Sequence, residues 1–224
     1  MRIVRGCDLQ KSKTEIASES YKVCKRASFP VDEEDVYNHL YENDELVQRF
    51  LVNEHDDIVG FGVAQEYIIS NDEANLTLAY LQGMVINKEY QGNGFSLILL
   101  KDLYDHFNSD LYGLRTQNPK MAKAMLNLFK KTLLKIPSIP HNKEEQETYI
   151  KILELLEFVP PYEEINKDGI IKNCYPNQLC EDYKELQLLN PKINISEHDA
   201  LAVVVQPQKN NPKQLIKDRN IIKR

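Results

Sequence analysis

Cysteine is sparse in this 224-residue chain, and the four present, Cys7, Cys24, Cys174 and Cys180, form no C-x-x-C pair. Zinc-ribbon and thioredoxin-type chemistry therefore have no support. Cys174 and Cys180 could approach one another across a loop, but free thiols are the expected state in a reducing compartment. The five histidines, His39, His55, His106, His141 and His198, are scattered and contain no H-E-x-x-H. No metal is expected, and each reads as a surface or core residue. No stretch approaches the roughly 20 apolar residues of a membrane span. Met1 to Arg5 lacks the apolar core of a secretory signal. An excess of positive charge is missing too: the formal net charge is −6, which argues against general binding to DNA or RNA phosphates. No internal repeat or low-complexity block is present. These absences leave the expectation of a cytoplasmic protein with neither a membrane nor a DNA partner. At 42% hydrophobic residues, the chain can fill one core and is short for two ordinary domains.

The informative stretch is Leu76 to Phe107. It opens as an apolar strand, LTLAYLQGMVIN, passes through the turn KEYQGNG, and continues as FSLILLKDLYDHF with apolar residues at helical spacing. A helix beginning near Phe95 leaves its first N–H groups without intrahelical partners, and its dipole places partial positive charge there. Gly92 and Gly94 carry no Cβ, so the turn can take dihedrals closed to other residues and let a phosphate approach the main chain. Ser96 adds a hydroxyl. A P-loop would need Lys then Ser or Thr after the second glycine, and Phe95-Ser96-Leu97 stands there instead. A dinucleotide fingerprint would need a third glycine.

Gln91-Gly92-Asn93-Gly94-Phe95-Ser96, following Met84-Val85-Ile86-Asn87-Lys88-Glu89-Tyr90, resembles the acetyl-CoA motif of the GCN5-related N-acetyltransferase (GNAT) superfamily, Q/R-x-x-G-x-G/A between a strand and a helix. Ser96 stands where that motif ends in Gly or Ala. Leu114-Arg115-Thr116-Gln117-Asn118-Pro119, followed by KMAKAMLNLFKK, resembles the family's next strand and helix in the same order and spacing. The resemblance implies an α/β GNAT fold, with a mixed, mostly antiparallel central sheet flanked by helices on both faces. It also implies acetyl-CoA as acyl donor. The diphosphate would be held by Gln91, Gly92, Asn93, Gly94, Phe95 and Ser96. The pantetheine arm would run along a splayed strand at Met84, Val85 and Ile86, with Asn118 close to the CoA arm.

The remaining elements follow in chain order. Arg2 to Cys7 reads as a strand. Asp8 and Ser12 offer caps for a helix reaching about Phe29, where Pro30 stops it, and Asp32 to Asn43 reads as a second, acidic-started helix. In the family these helices form one wall of the acceptor pocket, so Tyr21, Phe29, Tyr37 and Tyr41 either line it or pack. Leu46 to Asn53 and Ile58 to Ile69 read as strands of a hairpin, the second carrying Gly60 and Gly62, which suggest a bulge or close packing. Asn71 to Asn75 is a turn. After Lys130, Pro137 and Pro140 interrupt the chain, Lys143 to Phe158 reads as an amphipathic helix ended by Pro160-Pro161, and Gly169 to Tyr175 and Ala200 to Gln206 read as late strands. They resemble the family's C-terminal hairpin lengthened by an insertion, within which Glu181 to Leu189 reads as a short helix. Its loop would make Tyr175 to Leu179 specificity residues. The expected organisation is one GNAT domain over 1–206, with core motifs at 76–130, an extension at 137–206, and a basic tail at 207–224.

Acetyl transfer to an amine needs a base for the ammonium proton and an acid for the thiolate. The position where the histone-type branch carries a glutamate is Tyr80 here. Glu66 on the neighbouring strand could act through a water, or be an exposed strand-end carboxylate. Tyr80 and Gln82 share a face by period-two alternation and could orient the acceptor. Where the family places a tyrosine after Asn118, this chain has Met125 and Phe129. Tyr149 or Tyr175 could supply the acid instead, or solvent could. The catalytic candidates are thus Tyr80, Glu66 and Tyr175. The resemblance implies an N-acetyltransferase moving acetyl from acetyl-CoA to a small-molecule or peptide amine by direct attack in a ternary complex. The alternative is a degenerate GNAT domain serving as a CoA-sensing or protein-binding module. A homodimer is compatible with the sequence. Modification of tRNA or ribosomal protein has only the basic tail behind it.

Overall fold

The computed structural model describes residues 1–70, 75–129, 132–135, 143–157, 159, 165, 168–172, 174, 185, 187–188, 192–194 and 199–207. Several expectations fall outside the described residues. They are the turn before Asn75, the prolines 137, 140, 160 and 161, Cys180, most of the short helix at 181–189, Tyr175 to Leu179, and the tail beyond Pro207. The described residues gather into two compact units. One comprises Met1–Tyr67 with Ala79–Ser109, the other Ile68–Leu78 with the chain from Asp110 onward.

Strands β1 (Arg2–Val4), β2 (Val47–Val52), β3 (Ile58–Ser70) and β4 (Asn75–Ile86) lie in sequence order, the first unit holding β1, β2, β3 up to Tyr67 and β4 from Ala79. β1 pairs antiparallel with β2, matching Ile3 to Leu51, and β2 with β3, matching Phe50 to Phe61 and Arg49 to Gly62. The β2–β3 register shifts between Leu51 and Val52, so both readings of the β3 glycines have substance: an irregularity lies beside Gly60, and close packing occurs at both. Helices α1 (Lys13–Arg26) and α2 (Glu33–Tyr41) begin at capping boxes, Ser12 with Glu15 and Asp32 with Asp35. Each satisfies two otherwise orphaned donors. α1 ends earlier than Pro30 would require. Ser28 turns left-handed at φ 59°, and the Phe29 N–H closes onto the Cys24 carbonyl at 2.9 Å, which ends the helix as a left-handed C-terminal residue does.

The two faces of this sheet are covered differently. Phe50, Val52, Phe61 and Val63 pack with Ile16, Ala17, Val23, Val36 and Leu40 of α1 and α2, and Tyr21, Phe29 and Tyr41 lie partly buried against that cluster. The opposite face carries helix α3 (Phe95–Asp105), which presses Leu99 and Leu103 onto Gly62. Arg49, paired with Gly62 and nearly buried, meets Asp102 at 2.6 Å there. Each large apolar side chain so buried contributes roughly 1.5–3 kcal/mol relative to exposure.

The second unit centres on β8 (Ala200–Pro207), whose Ala200 to Val205 are fully buried. β5 (Leu111–Thr116) pairs antiparallel along one edge of it, matching Leu114 to Val203. β7 is only Ile170–Ile171, against Leu201 and Ala200. The rest of that edge goes to β6 (Thr132–Lys135), a strand the sequence reading did not anticipate. Helix α4 (Pro119–Leu128) buries Ala122 and Met125, and α5 (Lys143–Leu156) buries Ile152, Leu153 and Leu156. Beside the start of β4's exposed end, Asp110 accepts from the Thr77 amide and hydroxyl, while its own N–H donates to Thr77 Oγ1 at 3.0 Å. The architecture is α/β. Among the described residues, no helix is long and apolar enough to cross a membrane.

Candidate functional site

Between β4 and α3 the chain makes one turn of 3-10 helix, Lys88–Tyr90, capped by the Asn87 side chain on Glu89 N–H, and then the glycine turn. Gln91 is committed within the loop: its Nε2 donates to the Ile86 carbonyl at 2.7 Å. The Asn93 amide donates to the carbonyls of Tyr90 and Gln91 at 3.3 Å. These bonds hold the loop from inside.

Gly92 and Gly94 both lie left-handed, at φ 81° and 79°, and a Cβ at either would meet no atom within 4 Å. Glycine is therefore required by the backbone twist and not by crowding. The space beside both Cα atoms is open. Gly94 is the N-cap of α3 and offers no side-chain cap, while the first intrahelical donors are Leu97 and Ile98, both to the Gly94 carbonyl. The amides of Phe95 and Ser96 precede them, at the positive end of the helix dipole. A left-handed glycine pair with open space at an uncapped helix start suits an anionic diphosphate.

Along β4, burial changes abruptly. Leu78, Ala79, Tyr80 and Leu81 are all buried, whereas Gln82, Gly83, Met84 and Val85 are all half-exposed. Both faces of the strand open together just before the glycine turn. On the Tyr80 side, Gln82 Nε2 donates to the Tyr67 hydroxyl at 2.5 Å and reaches Gln65 Oε1 at 3.4 Å. Gln65 in turn donates to Glu45 at 3.3 Å. The Tyr80 ring stands edge-on to Tyr67 with centroids 6.3 Å apart, and its side chain is fully buried. Glu66 is turned elsewhere, accepting a hydrogen bond from the Ser109 hydroxyl beyond α3. Tyr80 and Glu66 are thus not brought together, and Tyr175 lies outside the described residues. On α2, Tyr37 is exposed and stands 5.3 Å from Tyr41, whose hydroxyl is pushed up to about 12 by burial and by Tyr37.

In the second unit, Asn118 takes the expected place at the end of β5. Its Oδ1 accepts from Lys120 N–H at 2.9 Å, and its own N–H donates to Thr116 Oγ1 at 2.8 Å. It is the N-cap of α4. Met125 is fully buried, and the Phe129 ring packs on Tyr112 at 4.9 Å.

Sequence reasoning passed over His39, whose Nε2 would lie 2.6 Å from a Cβ at Gly83. A glycine inside a strand signals close approach of another group, and Gly83 carried that signal. Gln65, Tyr67 and Glu45 were also missed, because nothing local marks residues that converge from separate elements.

Left-handed glycines, an uncapped helix start and a partly opened strand give an α/β protein whose glycine turn lies beside an accessible β-strand. The acetyltransferase (GNAT) family profile matches residues 14–131, over half of the chain. The chain belongs to the GNAT acetyltransferase family. Among solved structures it is similar to Arabidopsis thaliana NAA60 in complex with acetyl-CoA, at 14% identity over 57% of this chain and 82% of that one, TM-score 0.44. It is similar to a GNAT family acetyltransferase from Staphylococcus aureus at 20% identity over 47% and 78%, TM-score 0.38. A third is the aminoglycoside 6'-N-acetyltransferase of Enterococcus faecium, at 16% identity over 52% and 61%, TM-score 0.38. A search of curated proteins found no match.

Proposed function

We propose that this protein transfers an acetyl group from acetyl-CoA to a primary amine by direct attack in a ternary complex. The observation that carries this reading is the pair of left-handed glycines with open space at the start of α3. The amides of Gly94, Phe95 and Ser96 hold the diphosphate of the donor. Met84, Val85 and Ile86 run along its pantetheine arm, with the Ile86 carbonyl already bonded to Gln91. Acetyl-CoA supplies the activated acyl carbon when bound. Placing it beside an oriented amine is worth about 7–11 kcal/mol in favourable cases. The Gln82–Tyr67–Gln65–Glu45 chain orients the acceptor, with the Tyr80 ring edge-on to Tyr67.

Calorimetric titration with acetyl-CoA, with CoA and ATP as comparators, tests the donor site, and a thiol-release assay over an amine panel tests transfer. Binding of acetyl-CoA but not ATP, followed by amine-dependent thiol release, is the expected result. The second reading, a CoA-sensing or protein-binding module, is favoured by the burial of Tyr80 and the engagement of Glu66 with Ser109. It requires CoA affinity with no turnover on any amine. Absence of binding to either CoA species would remove both readings.

A further inference from the structure

Gly83 lacks a side chain where an imidazole stands in its place. A Cβ there would lie 2.6 Å from His39 Nε2, 3.4 Å from its Cε1 and 3.6 Å from its Cδ2. No real Cβ tolerates the first distance, so the Nε2 edge of the ring rests on the β4 backbone. Glycine in a strand interior is destabilising by roughly 0.5–1 kcal/mol relative to alanine. Here it admits His39 to the half-exposed stretch of β4, one residue before Met84, where the donor's arm is expected. His39 is itself solvent-exposed, next to the fully buried Leu40 that anchors α2.

Resting on the acetyl-transfer reading above, the geometry points to His39 as the general base for the acceptor amine. Nε2 takes one proton from the ammonium. The freed lone pair forms the N–C bond to the acyl carbon, the C–S bond breaks with its electron pair going to sulfur, the nitrogen's second proton passes to that thiolate to leave a neutral amide and the CoA thiol, and the imidazolium releases its proton to water. A positioned general base contributes about 10²–10⁴-fold. The charged residues of α2 near it in sequence are Asp35, which accepts from the Asp32 N–H, and Glu42 beyond the helix end. β4 presents the uncharged Gln82, Gly83 and Met84, and Gln82 connects through Gln65 to Glu45. The position accounts for how a chain with tyrosine at 80 and a diverted Glu66 removes the ammonium proton.

The test uses the full chain as wild type, His39→Gln, His39→Ala and Gly83→Ala, with spermidine, kanamycin and a lysine-containing peptide as amines. Thermal denaturation checks the fold, and calorimetry checks acetyl-CoA affinity. The expected result is a fall in kcat/KM of about 10²–10⁴-fold for both His39 variants, with acetyl-CoA affinity within about twofold of wild type. The acid limb of the wild-type pH profile disappears in His39→Gln, and added imidazole partly restores His39→Ala. Gly83→Ala, which displaces the ring, loses activity in the same way. A wild type that turns over an amine while His39→Gln keeps both its rate and its acid limb overturns this proposal alone. A wild type that binds acetyl-CoA yet acetylates none of the amines overturns the transferase reading and this proposal together.

Discussion

Gly62 on β3 and Leu103 on α3 share one space: a Cβ at Gly62 would lie 2.6 Å from Leu103 Cδ1, with Leu99 Cδ2 at 3.6 Å. This contact seats α3 against the sheet, and the start of α3 is the proposed diphosphate site. Gly62→Val overfills a packed interface, which typically costs about 1–3 kcal/mol. Urea unfolding should show a lower midpoint, and an unchanged midpoint would mean that α3 shifts without cost.

Gly94→Asp is expected to remove acetyl-CoA binding. It puts a carboxylate beside the amides proposed to hold the diphosphate, at a residue with φ 79° and open surroundings. The left-handed conformation disfavours a non-glycine residue by roughly 1–2 kcal/mol, so the fold survives. Calorimetry should register no heat with acetyl-CoA, while circular dichroism matches wild type. Retained affinity would contradict the donor site.

His106 gives a pH-dependent stability. Its pKa is lowered by burial, then by the positive charges of Arg49 and Arg5, against smaller opposing effects of Glu66 and Asp102. The unfolded chain therefore binds a proton that the folded chain resists. The stabilisation from this residue is complete above the unfolded pKa, near 6.5, and is lost as pH falls through the lower folded value. His106→Gln should flatten denaturant midpoints in the window just below pH 6.5, and an identical slope in both proteins would argue against the linkage.

Cysteine accessibility should separate sharply. Cys24 is buried in α1, and burial pushes its thiol up to about 12, whereas Cys7 is exposed. Because the thiolate is the nucleophile, iodoacetamide at pH 8 should alkylate Cys7 and leave Cys24 unmodified in peptide mass spectra. Rapid labelling of Cys24 would show that α1 opens readily.

Much of the local structure was legible in the residues. Ser12 and Asp32 each precede a helix by the spacing of a capping box, and the structure forms both. The strand, glycine turn and helix from Leu76 onward appear as β4, the left-handed pair and α3. Boundaries moved where backbone twist overrode the obvious stop, as at Ser28 in place of Pro30. The late hairpin was read from β-character alone, yet β7 is two residues long, and Thr132–Lys135 takes the remaining edge of β8. Thr132-Leu133-Leu134-Lys135 does not alternate between apolar and polar residues, so that pairing was invisible locally.

What the sequence determined by itself is what depends on one residue and its chain neighbours. The glycines can turn left-handed, the caps satisfy their own helix, and the order of motifs names the family. Contacts between residues far apart in the chain were left to the tertiary structure. It set Gln82 against Tyr67, Glu66 against Ser109, Leu103 over Gly62 and His39 over Gly83. Those contacts follow from how helices seat on a sheet, where side chains must share a fixed volume at close-packed density. No local pattern encodes which distant partner fills each space.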